Sequence, residues 1–71
     1  MRFFGRRPVV QVRLHHANMP QSLEGFLVGE WAGHYILRVP KIVESEDNTY
    51  PLASREVRVP REHVTFYEVI S

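Results

Sequence analysis

Apolar and polar residues alternate with a period of two in short segments spread over the whole chain. In VVQVRLH, Val10, Val12 and Leu14 alternate with polar residues, which indicates a strand with one buried face. No segment of about 10 to 12 residues shows a helical pattern. The predicted strands cover residues 9–15, 22–30, 34–44, 55–60 and 64–70. The alternation therefore predicts an all-β fold of five short strands.

Five strands without a helix to cover a face are best stabilised when the sheet bends into a small barrel. Gly25 and Gly29 lie within a strand, where glycine often marks a sharp bend or a close backbone approach. PREH, residues 60–63, can form a short helical turn before the last strand. This arrangement resembles SH3-like and Sm-like barrels, which carry a 3₁₀ turn there. We expect an SH3-like barrel, and an OB-like strand order is the alternative.

The chain of 71 residues is long enough for one domain. A core of this size alone supplies about 3 to 5 kcal/mol, and the chain has no cysteine for disulfides. The expected source of additional stability is therefore either a well-packed barrel or burial against other chains. No apolar run approaches the roughly 18 residues of a membrane helix, and no signal-peptide pattern is present, so a soluble protein is expected. We predict an N-terminal arm over residues 1–8 and a single barrel domain over residues 9–71.

The histidines and acidic residues do not form a recognised catalytic or metal-binding motif. His15 and His16 are adjacent on a strand end, so their side chains point to opposite faces. His34 and His63 stand alone, and no glycine-rich phosphate loop is present. The sequence predicts a protein that is not an enzyme and that uses no metal and no cofactor.

The strand order resembles that of the Sm-like family, whose first motif has a glycine and a leucine in a bent strand, followed by an aspartate and an asparagine that contact RNA. Gly25 and Leu27 match the first pair, but Trp31 and Tyr35 stand where the resemblance implies the RNA-contacting residues. The arginine–glycine pair of the second motif is absent from VPREHVTFYEV. Binding of single-stranded nucleic acid therefore remains only the alternative function.

Aromatic and arginine residues form the candidate partner-binding set, because these types dominate interface energetics. The N-terminal arm is predicted to dock through two phenylalanines flanked by arginines, with a disordered tail as the alternative. Trp31 at a hairpin tip is predicted to mark a partner surface if it projects outward, and to belong to the core if it packs against the barrel. The candidate partner-binding residues are Phe3, Phe4, Arg6, Arg7, Trp31 and Tyr67. Tyr35 and Phe66 are in phase with buried strand positions, so we predict both in the core.

GEWAGH is predicted to be a hairpin turn. Glu30 and His34 can face each other across a three-residue loop, with Gly33 in the left-handed conformation. The acidic stretch ESEDNTYP is predicted to be a solvated loop between the third and fourth strands.

Taken whole, the chain resembles a group of very short structural proteins of tailed bacteriophages that infect actinobacteria. The resemblance rests on RRPVVQVRLH, EGFLVGEWAGHYILRVP and VRVPREHVTFYEV. It implies a virion component, such as a minor capsid or neck-associated protein, that binds other structural chains. The expected partners are capsid, portal or neck proteins, with copies of the chain itself as a further option. No membrane partner is expected, and the departure from the Sm-like pattern favours an assembly role over nucleic-acid binding. A small regulator that binds a host protein is a further alternative.

Overall fold

The computed structural model describes residues 2–3 and 9–70. Within these residues it contains seven β-strands and one short 3₁₀ helix. They are β1 (Arg2–Phe3), β2 (Val10–His16), β3 (Ser22–Trp31), β4 (His34–Ser45), β5 (Asn48–Pro51), β6 (Glu56–Pro60), the 3₁₀ helix (Arg61–His63) and β7 (Val64–Val69). The predicted all-β fold is confirmed. Each of the five predicted strands is present with its ends within one residue of the prediction.

All strands belong to one antiparallel sheet with the order β5–β4–β3–β2–β7. The long strand β4 is shared, since its first half pairs with β6 and its second half with β5. The two-residue strand β1 pairs with the end of β3, where Arg2 faces Glu30. The prediction of five strands is therefore too low. In the described part of the chain, no pairing joins β6 or β5 to β7, so the hydrogen-bonded sheet is not closed.

Two of the seven strands lie where the sequence predicts none. ESEDNTYP is a hairpin rather than a loop, because β4 continues to Ser45, which pairs with Asn48 across a two-residue turn. Strand β5 is exposed throughout, so it has no buried face and no apolar alternation to reveal it. Strand β1 lies within the predicted arm. The predicted 3₁₀ turn before the last strand is confirmed at Arg61–His63.

The sheet is strongly curled. The rings of Tyr35 on β4 and Tyr67 on β7 have centroids 5.9 Å apart, although three strand spacings separate these strands in the sheet order. Three spacings in a flat sheet would be about 14 Å. The three-residue 3₁₀ helix also joins β6 directly to β7. Both of its ends form hydrogen bonds with distant turns: the Arg61 N–H donates to Gly33 O, and the Ala17 N–H donates to His63 O. The inner face therefore wraps around a core.

The main core cluster lies on the inner face, at positions that the period-two pattern predicts, whereas Ile36 is buried on the opposite face, where the pattern predicts no burial. Val12 and Leu14 of β2 and Leu37 of β4 are completely buried, and Leu23, Leu27 and Val59 complete the cluster. Tyr35 packs against this cluster, in agreement with its predicted core position. Phe66 is instead 57% exposed, because it lies on the outer face of an edge strand, and its predicted core position is wrong. In the described residues, no helix is long and apolar enough to cross a membrane.

A β-bulge in β4 lies directly opposite Gly25. Between the pairs Glu24–Lys41 and Phe26–Arg38, β4 contains one more residue than β3. A Cβ atom at Gly25 would lie 3.0 Å from the carbonyl oxygen of Arg38 and 3.5 Å from the Cα of Pro40. Glycine is therefore favoured here by the close approach of two backbones, as expected from its place within a strand.

Val39, within this bulge, has a φ of 51°, in the left-handed region that β-branched residues avoid. Its side chain is 69% exposed, so it offsets little of this strain by packing. In HYILRV the period-two pattern puts Val39 in phase with Tyr35 and Leu37 and so predicts an inward position, which is wrong because the bulge reverses the alternation. We expect Val39→Asn to raise the free energy of unfolding by about 1 kcal/mol, because asparagine tolerates this conformation. Urea denaturation of both proteins checks this, and Val9→Asn, at another exposed valine, is the control without the gain.

The GEWAGH turn is tighter than predicted. Trp31 pairs with His34, so Ala32 and Gly33 alone form the turn, and both have positive φ values, 51° and 77°. Such values at both central residues define a type I′ hairpin turn, whose twist matches that of the flanking strands. The left-handed Gly33 is confirmed, whereas Trp31 belongs to β3 rather than to the tip of a loop.

Candidate functional site

Five large or charged side chains form a surface on the outer face of the sheet, away from the core. Register places Phe26, Arg38 and Glu56 in one row across β3, β4 and β6. Arg58, two residues after Glu56, and Trp31, two residues after Gly29, lie on the same face. We call this set the outer patch: Phe26, Trp31, Arg38, Glu56 and Arg58.

The main feature of the outer patch is the contact between Trp31 and Arg58. Trp31 is 42% exposed, and the guanidinium of Arg58 lies over its ring, 4.8 Å from the centroid. The two residues meet diagonally across β4, where Ile36 pairs with Arg58 and is almost completely buried. A cation–π contact of this kind at a partly exposed site contributes roughly 0.5 to 1 kcal/mol. It holds the indole in one orientation with one face covered.

The charges of the outer patch are arranged around one carboxylate. Glu56 lies 3.8 Å from Arg38 and 3.6 Å from Arg58, measured from carboxylate oxygen to guanidinium Nε. Both arginines are largely exposed, so these ion pairs contribute little to stability. Two arginines against one glutamate leave the outer patch positive and rich in donors. This charge suits an acidic or carbonyl-rich partner surface.

A second charged group lies beside the outer patch, centred on the buried carboxylate of Glu24. Arg13 of β2 donates to it from Nε at 3.2 Å and from Nη2 at 2.9 Å. Lys41 of β4 lies 3.9 Å from its other oxygen, and Gln11 donates at 3.5 Å. Glu24 is directly opposite both Arg13 and Lys41 in register, so three strands are linked by one side chain. These contacts link β2, β3 and β4 on the outer face of the sheet.

Tyr67, a predicted partner-binding residue, lies on the inner face of β7 and is partly exposed. Its ring packs edge-on against Tyr35. Burial, followed by the nearby carboxylate of Glu30 and by Tyr67, raises the pKa of Tyr35 above its ordinary 10.0, while Arg61 acts to lower it. The phenol of Tyr35 is therefore uncharged at neutral pH and acts as an apolar ring with a hydroxyl.

The predicted arm lies mostly outside the described residues. Phe4, Arg6 and Arg7 are not among them, so their predicted roles remain predictions. The backbone of Phe3, in β1, pairs with that of Gly29, in β3. Of the predicted partner-binding residues, Trp31 contacts Arg58. Tyr67 is separate from Trp31, because Tyr67 lies on β7 and on the other face of the sheet.

The histidines contact one another and nearby aromatic and polar groups. His15 stacks on Phe66 with a centroid distance of 4.1 Å, and its Nε2 lies 2.7 Å from Glu68. His16 stacks on His63 at 5.4 Å. Over the described ranges, no three histidine, cysteine or acidic side chains are placed to hold a metal ion. The histidines link β2 to β7 and to the turn before it.

A shallow cleft of about 710 Å³ lies between the bulge at residues 38–40 and the segment 51–56. The segment is held by two backbone bonds, from Val39 N–H to Arg55 O and from Leu52 N–H to Pro40 O. Pro40, Pro51 and Leu52 line the cleft together with the exposed Val39. It extends the apolar area of the outer face beyond Arg38.

Comparison with protein-family models, with curated proteins and with solved structures finds no match to this chain. The functional interpretation therefore rests on the surface itself. Sequence reasoning selected Trp31 and missed Arg58, Arg38 and Phe26, because their positions around the indole depend on the register of three strands. The only sequence signal for them was that Phe26 alternates with the leucines of β3.

Proposed function

We propose that this chain is a non-enzymatic structural protein of a tailed-phage virion, a minor capsid or head–neck component that acts through protein–protein contacts. The observation that carries the proposal is the outer patch, where an exposed tryptophan is held under an arginine beside a second arginine and a phenylalanine. These are the residue types most enriched at interface hot spots. The protein is proposed to reside in the virion and, during assembly, in the host cytoplasm.

We further propose that the curled sheet is an SH3-like barrel. Strands β2, β3, β4 and β6 follow one another across the sheet, and β7 returns to lie beside β2. The 3₁₀ helix brings the ends of β6 and β7 together, and Val59 of β6 shares one core with Leu14 of β2. These features support a barrel with a gap between β6 and β7. A small barrel of this kind presents its outer face as a rigid platform.

The proposal is tested by co-purification with virion proteins. The tagged chain is co-expressed with the capsid, portal and neck proteins of a tailed actinobacteriophage, and bound proteins are identified by mass spectrometry. We expect a stable complex with at least one of them. Trp31→Ala is expected to weaken that complex at least about tenfold, because truncating a hot-spot tryptophan costs about 2 kcal/mol or more. Binding is measured by calorimetry.

Tyr50→Ala is the matched control, since Tyr50 is also an exposed aromatic residue but lies on β5, away from the outer patch. It should leave the affinity unchanged, and Arg58→Ala should weaken it because Arg58 orients the indole. Thermal unfolding of each variant separates loss of binding from loss of folding. A chain that binds none of these virion proteins, or a complex that tolerates Trp31→Ala, would contradict the proposal.

Binding of single-stranded nucleic acid is the second candidate, and the same observation favours it. An exposed indole beside two arginines can stack on a base while the guanidinium groups contact phosphate. Trp31 is the only tryptophan of the chain, so quenching of its fluorescence reports stacking directly. Oligonucleotides should quench it at low salt, and added salt should reverse the effect. Unchanged fluorescence at low salt removes this candidate.

A further inference from the structure

Strand β7 has hydrogen-bonded neighbours on one edge only. It pairs with β2, and within residues 2–3 and 9–70 no strand pairs with its other edge. Its side chains are exposed on both faces, with Phe66 outside and Tyr67 and Val69 inside. Tyr67 and Val69 stand opposite the fully buried Leu14 and Val12, so the inner face of the sheet continues onto β7 without a cover.

The outermost strands on the opposite side of the sheet carry residues that prevent pairing with another chain, and β7 does not. There the outermost strands carry Pro51 on β5, and Arg58 and Pro60 on β6. Prolines and charges on edge strands prevent pairing with other chains. Strand β7, VTFYEV, has no proline, lysine or arginine, and its one charged residue, Glu68, contacts His15 at 2.7 Å. Among β5, β6 and β7, the outermost strands of residues 9–70, β7 is therefore the one whose free edge is open to another strand.

The outward hydrogen-bonding groups of β7 can be assigned from its bonds to β2. Ile70 donates its N–H to the carbonyl of Gln11, at 2.8 Å. Because backbone groups alternate in direction along an antiparallel strand, the N–H and C=O groups of Tyr67 and Val69 point away from β2. These groups can bond to an added strand without disturbing the existing sheet.

We propose that β7 pairs with β7 of a second copy of this chain, across a two-fold axis, to form a dimer. Charge does not oppose a second copy: the chain has a net charge of only +1, and the one acid of β7, Glu68, already contacts His15 of its own chain. Because both copies use the same edge, the contact closes after two copies and does not propagate. The inference names one partner of the proposed assembly function but depends only on β7.

The side chains select the register of the two strands. With Glu68 opposite Glu68 of the second copy, two like charges would face each other directly, which is destabilising. With Tyr67 opposite Tyr67 of the second copy, Glu68 faces Phe66 instead, and the two tyrosines extend the aromatic cluster that includes Tyr35. We assign the dimer this second register.

The expected affinity follows from the area available. Phe66, Tyr67, Val69 and Ile70 together expose roughly 400 Å² that a paired strand can cover, given the areas of such side chains. Twice this area, about 800 Å², is below the roughly 1,200 to 2,000 Å² that stable specific interfaces bury, so a weak dimer with a dissociation constant of about 10 to 100 μM is expected. The dimer should therefore assemble and dissociate within the concentration range of ordinary experiments.

Sedimentation equilibrium of the 71-residue chain between about 5 and 500 μM tests the proposal, and we expect a monomer–dimer transition in this range. Val69→Pro removes an outward N–H that the folded chain does not use, so it should weaken the dimer at least about tenfold. Val69→Thr keeps the shape and the N–H, and it should still dimerise. Circular dichroism confirms that both variants are folded.

The register is tested by cysteine cross-linking, since the chain has no cysteine of its own. Tyr67→Cys should form a disulfide-linked dimer on mild oxidation, because residues facing each other in such a pair have Cα atoms about 5.5 Å apart. Phe26→Cys, at an exposed position of the outer patch, should not.

Each result has a definite meaning. A chain that stays monomeric at about 500 μM, or a dimer that persists in Val69→Pro, overturns the proposal. Failure of virion proteins to bind, together with a dimer sensitive to Val69→Pro, would contradict the proposed function and leave the β7 dimer intact. Binding to virion proteins by a strictly monomeric chain would support the proposed function and overturn the β7 dimer.

Discussion

Replacing Gly25 with alanine is expected to lower the free energy of unfolding by about 2 to 3 kcal/mol, most of what a chain this size possesses. The new Cβ would lie 3.0 Å from the carbonyl oxygen of Arg38 and 3.3 Å from the Cβ of Leu37. Neither atom can move aside easily, since the first is backbone in the bulge and the second belongs to a fully buried side chain. Either β3 and β4 separate or the bulge unwinds.

Gly33→Ala is the control that isolates steric overlap from backbone conformation. No heavy atom lies within 4 Å of a Cβ built at Gly33, but its φ of 77° disfavours alanine. This variant should lose only about 1 to 2 kcal/mol, from backbone strain alone. Urea unfolding followed by circular dichroism compares the two variants. Equal losses, or a stable Gly25→Ala protein, would show that the close approach at the bulge does not constrain the fold.

Gly25 also illustrates how far the sequence predicts this fold. The period-two pattern locates strands that have one buried face, because burial forces every second residue to be apolar. It does not find β5, which has no buried side, and it places Val39 inside because it has no means of counting the extra residue of the bulge. Pro40 indicates that the strand is irregular there, but the direction of the change depends on the register with β3.

The candidate site shows the same limit. Trp31 could be selected by residue type alone, since tryptophan is rarely needed beside a tight turn. Its partner Arg58 could not, because the pair forms diagonally across β4 and depends on the pairing of β4 with β6. The predicted core position of Phe66 is wrong for a different reason. The alternation around Phe66 is that of a strand, but the position of that strand at the edge of the sheet is a tertiary property.

The second large effect is expected at Glu24. Glu24→Ala should lower the free energy of unfolding by about 2 kcal/mol, because it removes a buried carboxylate that accepts two bonds from Arg13 and faces Lys41. The loss should be smaller than for a fully buried pair, since Arg13 and Lys41 are partly exposed and can be rehydrated. Glu24→Gln keeps the shape and one acceptor oxygen, so about half of this loss is expected. Chemical denaturation of the three proteins gives the values.

A double-mutant cycle with Arg13→Ala then separates the ion pair from the packing of the two side chains. The coupling between Glu24 and Arg13 should be about 1 to 2 kcal/mol, because Arg13 donates two charge-assisted bonds to a carboxylate that is shielded from water. The exposed pair Glu30–Arg61, at 3.4 Å, should give less than about 0.5 kcal/mol in the same cycle. Similar couplings for both pairs would mean that Glu24 stabilises the sheet through packing rather than charge. In that case Glu24→Leu, which replaces the carboxylate with an apolar group of similar volume, should be at least as stable as the natural protein.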